Sequence, residues 1–426
     1  MNEDYLDISE PLLVDNSVES YPYHEYNPIV GTNLNNVNSE IRIVIENQDV
    51  FTHPSKSFLV IKGRLTKADG TSYTDADAIA LVNNGIMFLF NSIKYHIGDK
   101  LIDELNYPGY ATTMKGLLSY GNAEQLGMVD SCWTLDSLQS AAADTTANIG
   151  FAIRHHMVVK QSTPKGSFSF IVPAKHLLGF FEDYTKVVYG VKQTLTLMRT
   201  TNADAVFRAQ AVDDPKLELS HISWRVPHVL PADKPKAKIL DLVDRGISVD
   251  LGFRHWHYDS CDLPATTSFT WRLVTTSAIE KPRWIVIAFQ TNRQNDVKKN
   301  TAQFDHCSLA DCHVMLNSER YPYLDLNVDY AKGDYAILYR MFHEFRNSVY
   351  GSDDVAVNAI QFQKQCPFVV IDCTKQSERL RDALVDVQVK MRFVNNVPAG
   401  TKCHALLIGD RKMQMKLDRG KIDVVY

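Results

Sequence analysis

Lys281-Pro-Arg-Trp284-Ile-Val-Ile-Ala-Phe289-Gln290 is the stretch whose character decides the fold. The unbroken apolar run from Trp284 to Phe289, rich in β-branched and aromatic side chains, predicts a short buried strand rather than a helix. A polar loop, Thr291 to Thr301, follows, and Phe304-Asp305-His306 leads into a second predicted strand, His313 to Leu316. That strand closes in Asn317-Ser318-Glu319-Arg320-Tyr321-Pro322. From Tyr335 to Arg346, Leu338, Met341, Phe342 and Phe345 fall three and four apart, one apolar helical stripe. The order is strand, loop, strand, turn, helix.

The same order occurs near the N-terminus. Lys56-Ser57-Phe58-Leu59-Val60-Ile61 precedes a polar loop, Lys67 to Asp77; Phe88-Leu89-Phe90-Asn91 then leads to the alternating strand Ile93 to Ile97. Gly98-Asp99-Lys100, Tyr107-Pro108-Gly109 and a helical stretch with Met114, Leu117 and Leu118 follow. The ends match as well. Phe168 to Pro173, a short helix over Lys175 to Phe181 and the strand Gln193 to Arg199 correspond to Pro367 to Asp372, Gln376 to Leu380 and Asp386 to Arg392. This pattern predicts a duplicated unit of roughly 170–190 residues, about one domain each.

A chain of 426 residues, 45% hydrophobic and 22% charged, is long enough for two or three full cores. Net charge is −5, so no whole-chain attraction to nucleic acid or an anionic membrane is expected. Two basic clusters, Lys234 to Lys238 and Arg293 to Lys299, are expected in solvated loops. No apolar run approaches the ~18 residues that span a bilayer. The acidic N-terminus, the lack of an Asn-x-Ser/Thr acceptor and seven sparse cysteines predict a chain that is not secreted and carries no disulfide framework.

Residues 1–38 form a polar arm with Tyr21, Tyr23 and Tyr26 at its centre. It is either a disordered leader or an arm that docks its tyrosines on a neighbouring subunit. Short alternating strands then dominate: Ile41–Ile45, Leu59–Leu65, Ile93–Ile97, His156–Lys160, Phe168–Val172, Val187–Met198 and Leu217–Val226. Turn signals such as Asn84-Gly85 and Pro164-Lys165-Gly166 separate them, which predicts sandwiches rather than βαβ units. The proline- and lysine-rich stretch around 231–248 reads as a linker. Past it lie a strand over Ser268–Val274, the elements already described, a hairpin across Asn396 to Gly400 and a final paired strand at the C-terminus. The fold expected is all-β, two tandem eight-stranded jelly-roll β-sandwiches with short helices in the insertions. The expected domains are an arm (1–38), a first jelly roll (39–230), a linker (231–248) and a second jelly roll (249–426).

Two groups could carry metal chemistry. His255, His257 and Asp259 fall on one face of a strand, with Trp256 and Tyr258 on the other. A polar outer face over inward aromatics accounts for that pattern more simply. His306, Cys307, Cys312 and His313 offer soft ligands, but their spacing does not make two converging zinc pairs. No nucleophile elbow, phosphate loop, dinucleotide fingerprint or zinc-protease motif occurs. No cofactor, metal or catalytic residue is therefore assigned. Tyr321, Tyr323, Tyr330 and Tyr335 begin a tyrosine cluster after the Asn317 turn, denser than a core requires; with Tyr21, Tyr23 and Tyr26 they are the expected interface residues.

The order Trp284 to Gln290, polar loop, Phe304-x-His306, strand, Leu316-Asn317-x-x-Arg320-Tyr321-Pro322, aromatic loop and helix resembles the second half of double jelly-roll major capsid proteins of DNA viruses, virophages and Polinton-type elements. Asp49 to Ser57, Gly63, Asn83-Asn84, Leu89-Phe90 and the Ile93-x-Tyr95-x-Ile97 strand look like the shorter double jelly-roll-like proteins of invertebrate genomes. The likeness covers roughly residues 40–426. It implies a structural, non-enzymatic subunit whose partner is itself, as a homotrimer that presents six barrels in a pseudo-hexagonal capsomer and tiles an icosahedral shell. It implies a virion or virus-like particle, made in the host cytoplasm or nucleus, with no membrane insertion and no specific nucleic-acid binding. Loops 66–80, 121–148 and 291–303 would make the contacts between subunits and the outer tower. The alternatives are a bicupin-like or glycan-acting metal-dependent enzyme and a non-assembling domesticated binding protein.

Overall fold

The computed structural model describes residues 17–46, 49–161, 163–273, 281–376, 385–416 and 421–424. Each half of the chain is a pair of antiparallel sheets. In the first, Glu40–Ile45, Gln193–Arg199, Phe90–Ile97 and Lys100–Asn106 lie side by side in that order. In the second, Ser268–Leu273, Val387–Phe393, Leu309–Leu316 and Glu319–Tyr321 do the same. The opposing sheets run Pro215–Pro231, Phe58–Lys67, Ser167–Pro173 in the first half and Thr401–Lys416, Pro282–Thr291, Val369–Asp372 in the second. On the outer side of the long strand, Tyr23–Tyr26 occupies the place that Ser248–Asp262 holds in the second half. Eight strands of one half therefore correspond one for one to eight of the other; the first half adds short strands, among them the separate pair Ile79–Leu81 and Val206–Arg208. Among the described residues no sheet mixes strands of the two halves.

The cores follow from alternation. Ile41, Ile43 and Ile45 are fully buried while Glu40 and Arg42 face out. Leu195 sits between Ile43 and Tyr95, and Leu197 between Ile41 and Ile93. The second half repeats these ladders with Trp271, Val389 and Val314, then Leu273, Val387 and Leu316. Such cross-strand rows fix register, because a slip of one residue would turn the whole set toward solvent. Trp284 to Phe289 is buried on both faces, which accounts for its unbroken apolar sequence. One face points into the sandwich. The other lies under the helix Ala336–Tyr350, whose Leu338, Phe342 and Phe345 are buried and whose Phe345 meets Trp284 edge to face at 5.1 Å. Met341 on the expected stripe is only half-buried, and Gly351, at φ 65°, ends the helix.

Several expectations are corrected. His156–Lys160 is not a strand but a π-helical turn continuing the helix Ile149–His155. Val158 and Val159 are buried side by side, where a strand would send them to opposite faces. Val187–Met198 is two strands. Val188–Tyr189 pairs with Phe51–Thr52, and the chain changes sheet through Gly190, at φ 72°, before Gln193. The turn at Asn396–Gly400 closes no hairpin: Val387–Phe393 and Thr401–Lys416 belong to different sheets. Lys234 to Lys238 lie in the surface helix Asp233–Asp244, which fills the stretch read as a linker. The C-terminal strand is present as Lys421–Val424, paired with Met413–Lys416. The helix expected at Gln376 to Leu380 lies almost wholly outside the described residues.

Over its described residues, 17–38, the arm lies on its own chain. Beyond the pairing of Tyr23–Tyr26 with Trp224–Pro227, Val18 and Ser20 pair with Pro231 and Leu230. Asn35 stands in for a strand residue: its side chain donates to the Leu219 carbonyl at 3.0 Å and accepts from the Leu219 amide at 2.7 Å. Arg199, buried, donates to the Leu34 carbonyl at 2.8 Å.

Candidate assembly surfaces

Each expected interface tyrosine has a place. Tyr21 bonds the His53 ring at 2.7 Å, Tyr26 bonds the His228 ring at 2.7 Å, and Tyr23 packs its ring on Phe58 at 5.3 Å. Tyr321 donates to Glu319 at 2.8 Å and is half-buried. Tyr330 is buried, stacked between His306 (4.3 Å) and Tyr335 (5.7 Å), so its ring belongs to the interior of this chain. Tyr323 differs. It is 85% exposed beside Leu324, 73% exposed, in the loop after Tyr321-Pro322. The two form an exposed pair of large side chains.

The loops expected at the periphery largely bind the two halves together. In loop 121–148, Asn122 bonds Asp354 at 2.7 Å, and Asp136 accepts from Asn300 of loop 291–303 at 2.6 Å. The Val297 carbonyl accepts from the Arg208 amide at 2.8 Å. Loop 66–80 is tucked in by Tyr73, buried, whose hydroxyl donates to the Asp213 carbonyl at 3.0 Å.

The centre of the junction is the short helix Gly179–Asp183 of the first half against the strand Ser248–Asp262 of the second. Gly179 allows it: a Cβ there would sit 1.7 Å from the Arg254 carbonyl oxygen. Asp183 accepts from the Arg254 amide at 2.7 Å and from its Nε at 2.8 Å. Burial alone would lower the Arg254 pKa, but the Asp183 hydrogen bond and the charges of Tyr350, Glu182 and Asp183 together outweigh it, and the guanidinium is held charged. Its plane covers the Tyr350 ring at 4.9 Å, and the Tyr350 hydroxyl donates to Glu182 at 2.7 Å. Lys115, nearly buried, pairs with Glu182 at 2.7 Å. Asp103, 1% exposed, accepts from the Phe180 amide at 3.0 Å and pairs with His255 at 2.7 Å. Breaking one partner of such a buried, paired set is costly, so the set fixes one relative position of the two sandwiches.

That junction corrects the reading of the His255 strand. Trp256 and Tyr258 are buried as expected, but His255 is buried too, because the face read as outward rests on the first half. The His255 and His257 rings are 6.5 Å apart, and no group of three potential ligands converges among the described residues. Cys312 is a core residue of its strand, and burial pushes its thiol well above the ordinary range. Nothing local signals the charged junction, since Asp103, Lys115, Asp183 and Arg254 come from four separate stretches of chain that only the fold brings together.

A family model for the double jelly roll-like domain matches residues 136–413. The chain belongs to the double jelly roll-like family. Among solved structures, it is similar to a chain of the Sputnik virophage, with TM-score 0.63 and 8% identity over 100% of this chain and 92% of that one. The major capsid protein of mavirus gives TM-score 0.56 and 12% identity over 100% and 94%. That of Faustovirus gives 0.58 and 10% over 98% and 93%. The likeness is one of fold and runs nearly the whole length of both partners. No curated protein matches in sequence. No helix among the described residues is long and apolar enough to cross a membrane.

Proposed function

We propose that this double jelly-roll chain is a structural, non-enzymatic capsid-type subunit whose activity is packing against copies of itself. The observation that carries the reading is the pair of topologically equivalent sandwiches locked side by side, in a chain matched end to end by viral major capsid proteins. The first sandwich spans 39–230 with the arm strand at 18–26 completing it, and the second spans 249–426, joined by 231–248. Two equivalent barrels per chain, repeated around a threefold axis, give six similar lobes and hence a trimer of near-hexagonal outline. Closed symmetry is the usual way a chain satisfies a self-complementary surface. Tyr323 and Leu324 are contact residues of that trimer, and Tyr21, Tyr23, Tyr26, Tyr321 and Tyr335 flank contact surfaces through the edges of their rings. The product is a capsomer and, from capsomers, a virion or virus-like shell.

Negative-stain images of the purified protein test this. Hexagonal-outline particles of three chains support it; single-chain particles at every concentration and salt overturn it.

A further inference from the structure

Between the two sandwiches lies a cavity of about 280 Å³ that the assembly reading leaves without a role. Its walls come from both halves, and its volume suits a side-chain-sized group. Tyr110 and Tyr258 stack at 6.1 Å on one side, and Tyr107 leans over Tyr258 at 5.8 Å with half its surface exposed. Tyr107 is held at φ 48°, in the left-handed region that a bulky side chain seldom adopts. Asn295, from the other half, lines the same cavity at φ 57°. Backbone outliers of this kind, gathered at one cavity, point to a site.

Asp204 gives the site its chemistry. Its carboxylate accepts one bond from the Tyr110 hydroxyl at 2.9 Å and one from the Asn295 amide at 2.6 Å. A carboxylate has about four acceptor positions, so two stay open. None of its partners is a cation: among the described residues no lysine, arginine or histidine lies within ion-pair distance of Asp204. Burial raises its pKa above the ordinary carboxylate range, against the opposing pull of its two hydrogen bonds and of the Lys402 charge. The one cation on the cavity wall, Lys402, has its nearest carboxylate in Asp262, at 3.8 Å.

We infer that this cavity is a binding site for an organic cation, an alkylammonium group seated against the half-exposed ring of Tyr107 and paired with Asp204. Ring faces attract a cation once it is desolvated, and the open carboxylate positions accept its N–H groups. The chemistry is the same whether the group is a free amine or a lysine side chain of a second copy. Because both halves line the cavity, an occupant bridges them. The site stands whether or not the chain assembles.

The test is calorimetric titration of n-butylamine into the full-length protein at low micromolar concentration and low salt, with n-butanol as the uncharged isostere. One saturable site per chain for the amine and none for the alcohol is expected. Asp204→Asn keeps an acceptor for Tyr110 but removes the charge, and should weaken binding at least tenfold. Lys402→Met removes a competing cation and should tighten binding severalfold, which a merely structural role would not produce. Sedimentation distinguishes the sources. Self-association that n-butylamine reverses and Asp204→Asn abolishes assigns the group to a second copy's lysine; sedimentation indifferent to both assigns it to a free amine. No heat of binding for n-butylamine, equal affinity in Asp204→Asn, or weaker binding in Lys402→Met overturns the proposal.

Discussion

Gly179→Ala is the smallest change that should separate the two sandwiches. The added methyl carbon would lie 1.7 Å from the Arg254 carbonyl oxygen, and such contacts in real proteins do not fall below 3.0 Å. The helix Gly179–Asp183 must therefore retreat from the strand by at least about 1.3 Å. Both sides of the clash are backbone, so no rotamer change relieves it. That retreat takes the Asp183 bonds to Arg254, now 2.7 and 2.8 Å, to about 4 Å, beyond hydrogen-bond reach. The Phe180 bond to Asp103, 3.0 Å, is lost with them. Charge-assisted bonds contribute about 1.5–3 kcal/mol each, so the net loss is about 4 kcal/mol once partial relaxation is allowed. A chain of this length unfolding as one unit has an unfolding entropy of about 0.9 kcal/mol/K, so the midpoint should fall by about 4 °C. Differential scanning calorimetry should also resolve the single transition into two, because each sandwich keeps its own core. An unchanged midpoint with one sharp transition would refute the claim that this contact couples the halves.

Four further outcomes follow from the same contacts. Asp136→Ala strands buried Arg154, bonded to it at 2.6 Å, and removes the acceptor for Asn148 and Asn300; chemical denaturation should show a loss of about 3–5 kcal/mol. His176 and His404 are buried neutral, their pKa values lowered to about 3 by burial and, secondarily, by nearby lysines. The unfolded chain protonates both below about pH 6.5 and the folded chain does not until about 3. Stability should therefore fall with pH across that window, by about 4 kcal/mol at pH 5 for the pair, measurable as a falling denaturation midpoint. Asn35→Ala removes both side-chain bonds to Leu219, a local loss of about 1–3 kcal/mol, and should speed hydrogen exchange at Leu219 while the four-strand sheets stay protected. Tyr323→Ser with Leu324→Ser should weaken self-association in sedimentation and leave the unfolding midpoint within about 1 °C, since both side chains are mostly exposed.

The duplication was legible because it is written in apolar periodicity. Ile93–Ile97 and His313–Leu316 alternate, and Trp284 to Phe289 runs unbroken because a helix covers its second face. What stayed hidden depends on contacts remote in sequence. His156–Lys160 is short and apolar, and only its packing beside Ile79–Leu81 makes it a helical turn. The turn at Asn396–Gly400 has the residues of a hairpin, and nothing local states that the chain crosses from one sheet to the other there. The arm lacks the apolar content of a core strand. It pairs because the strand Pro215–Pro231 leaves its outer edge open, and because Asn35 and the tyrosine hydroxyls find partners as far as 202 residues away. The surfaces were partly legible. Tyrosine density singled out the segment after Asn317, but not that Tyr330 turns inward while Tyr323 projects. The Asp204 cavity had no signal at all, since its residues come from six separate stretches of chain.

The claim at the centre is that two locked, equivalent sandwiches form a unit built to pack on its own copies. Sedimentation velocity of the full-length protein across a hundredfold range of concentration and at low and high salt tests it most directly. The predicted result is a discrete species of three times 48.2 kDa, with larger shells at the upper end. A lone species of 48.2 kDa under every condition would contradict it.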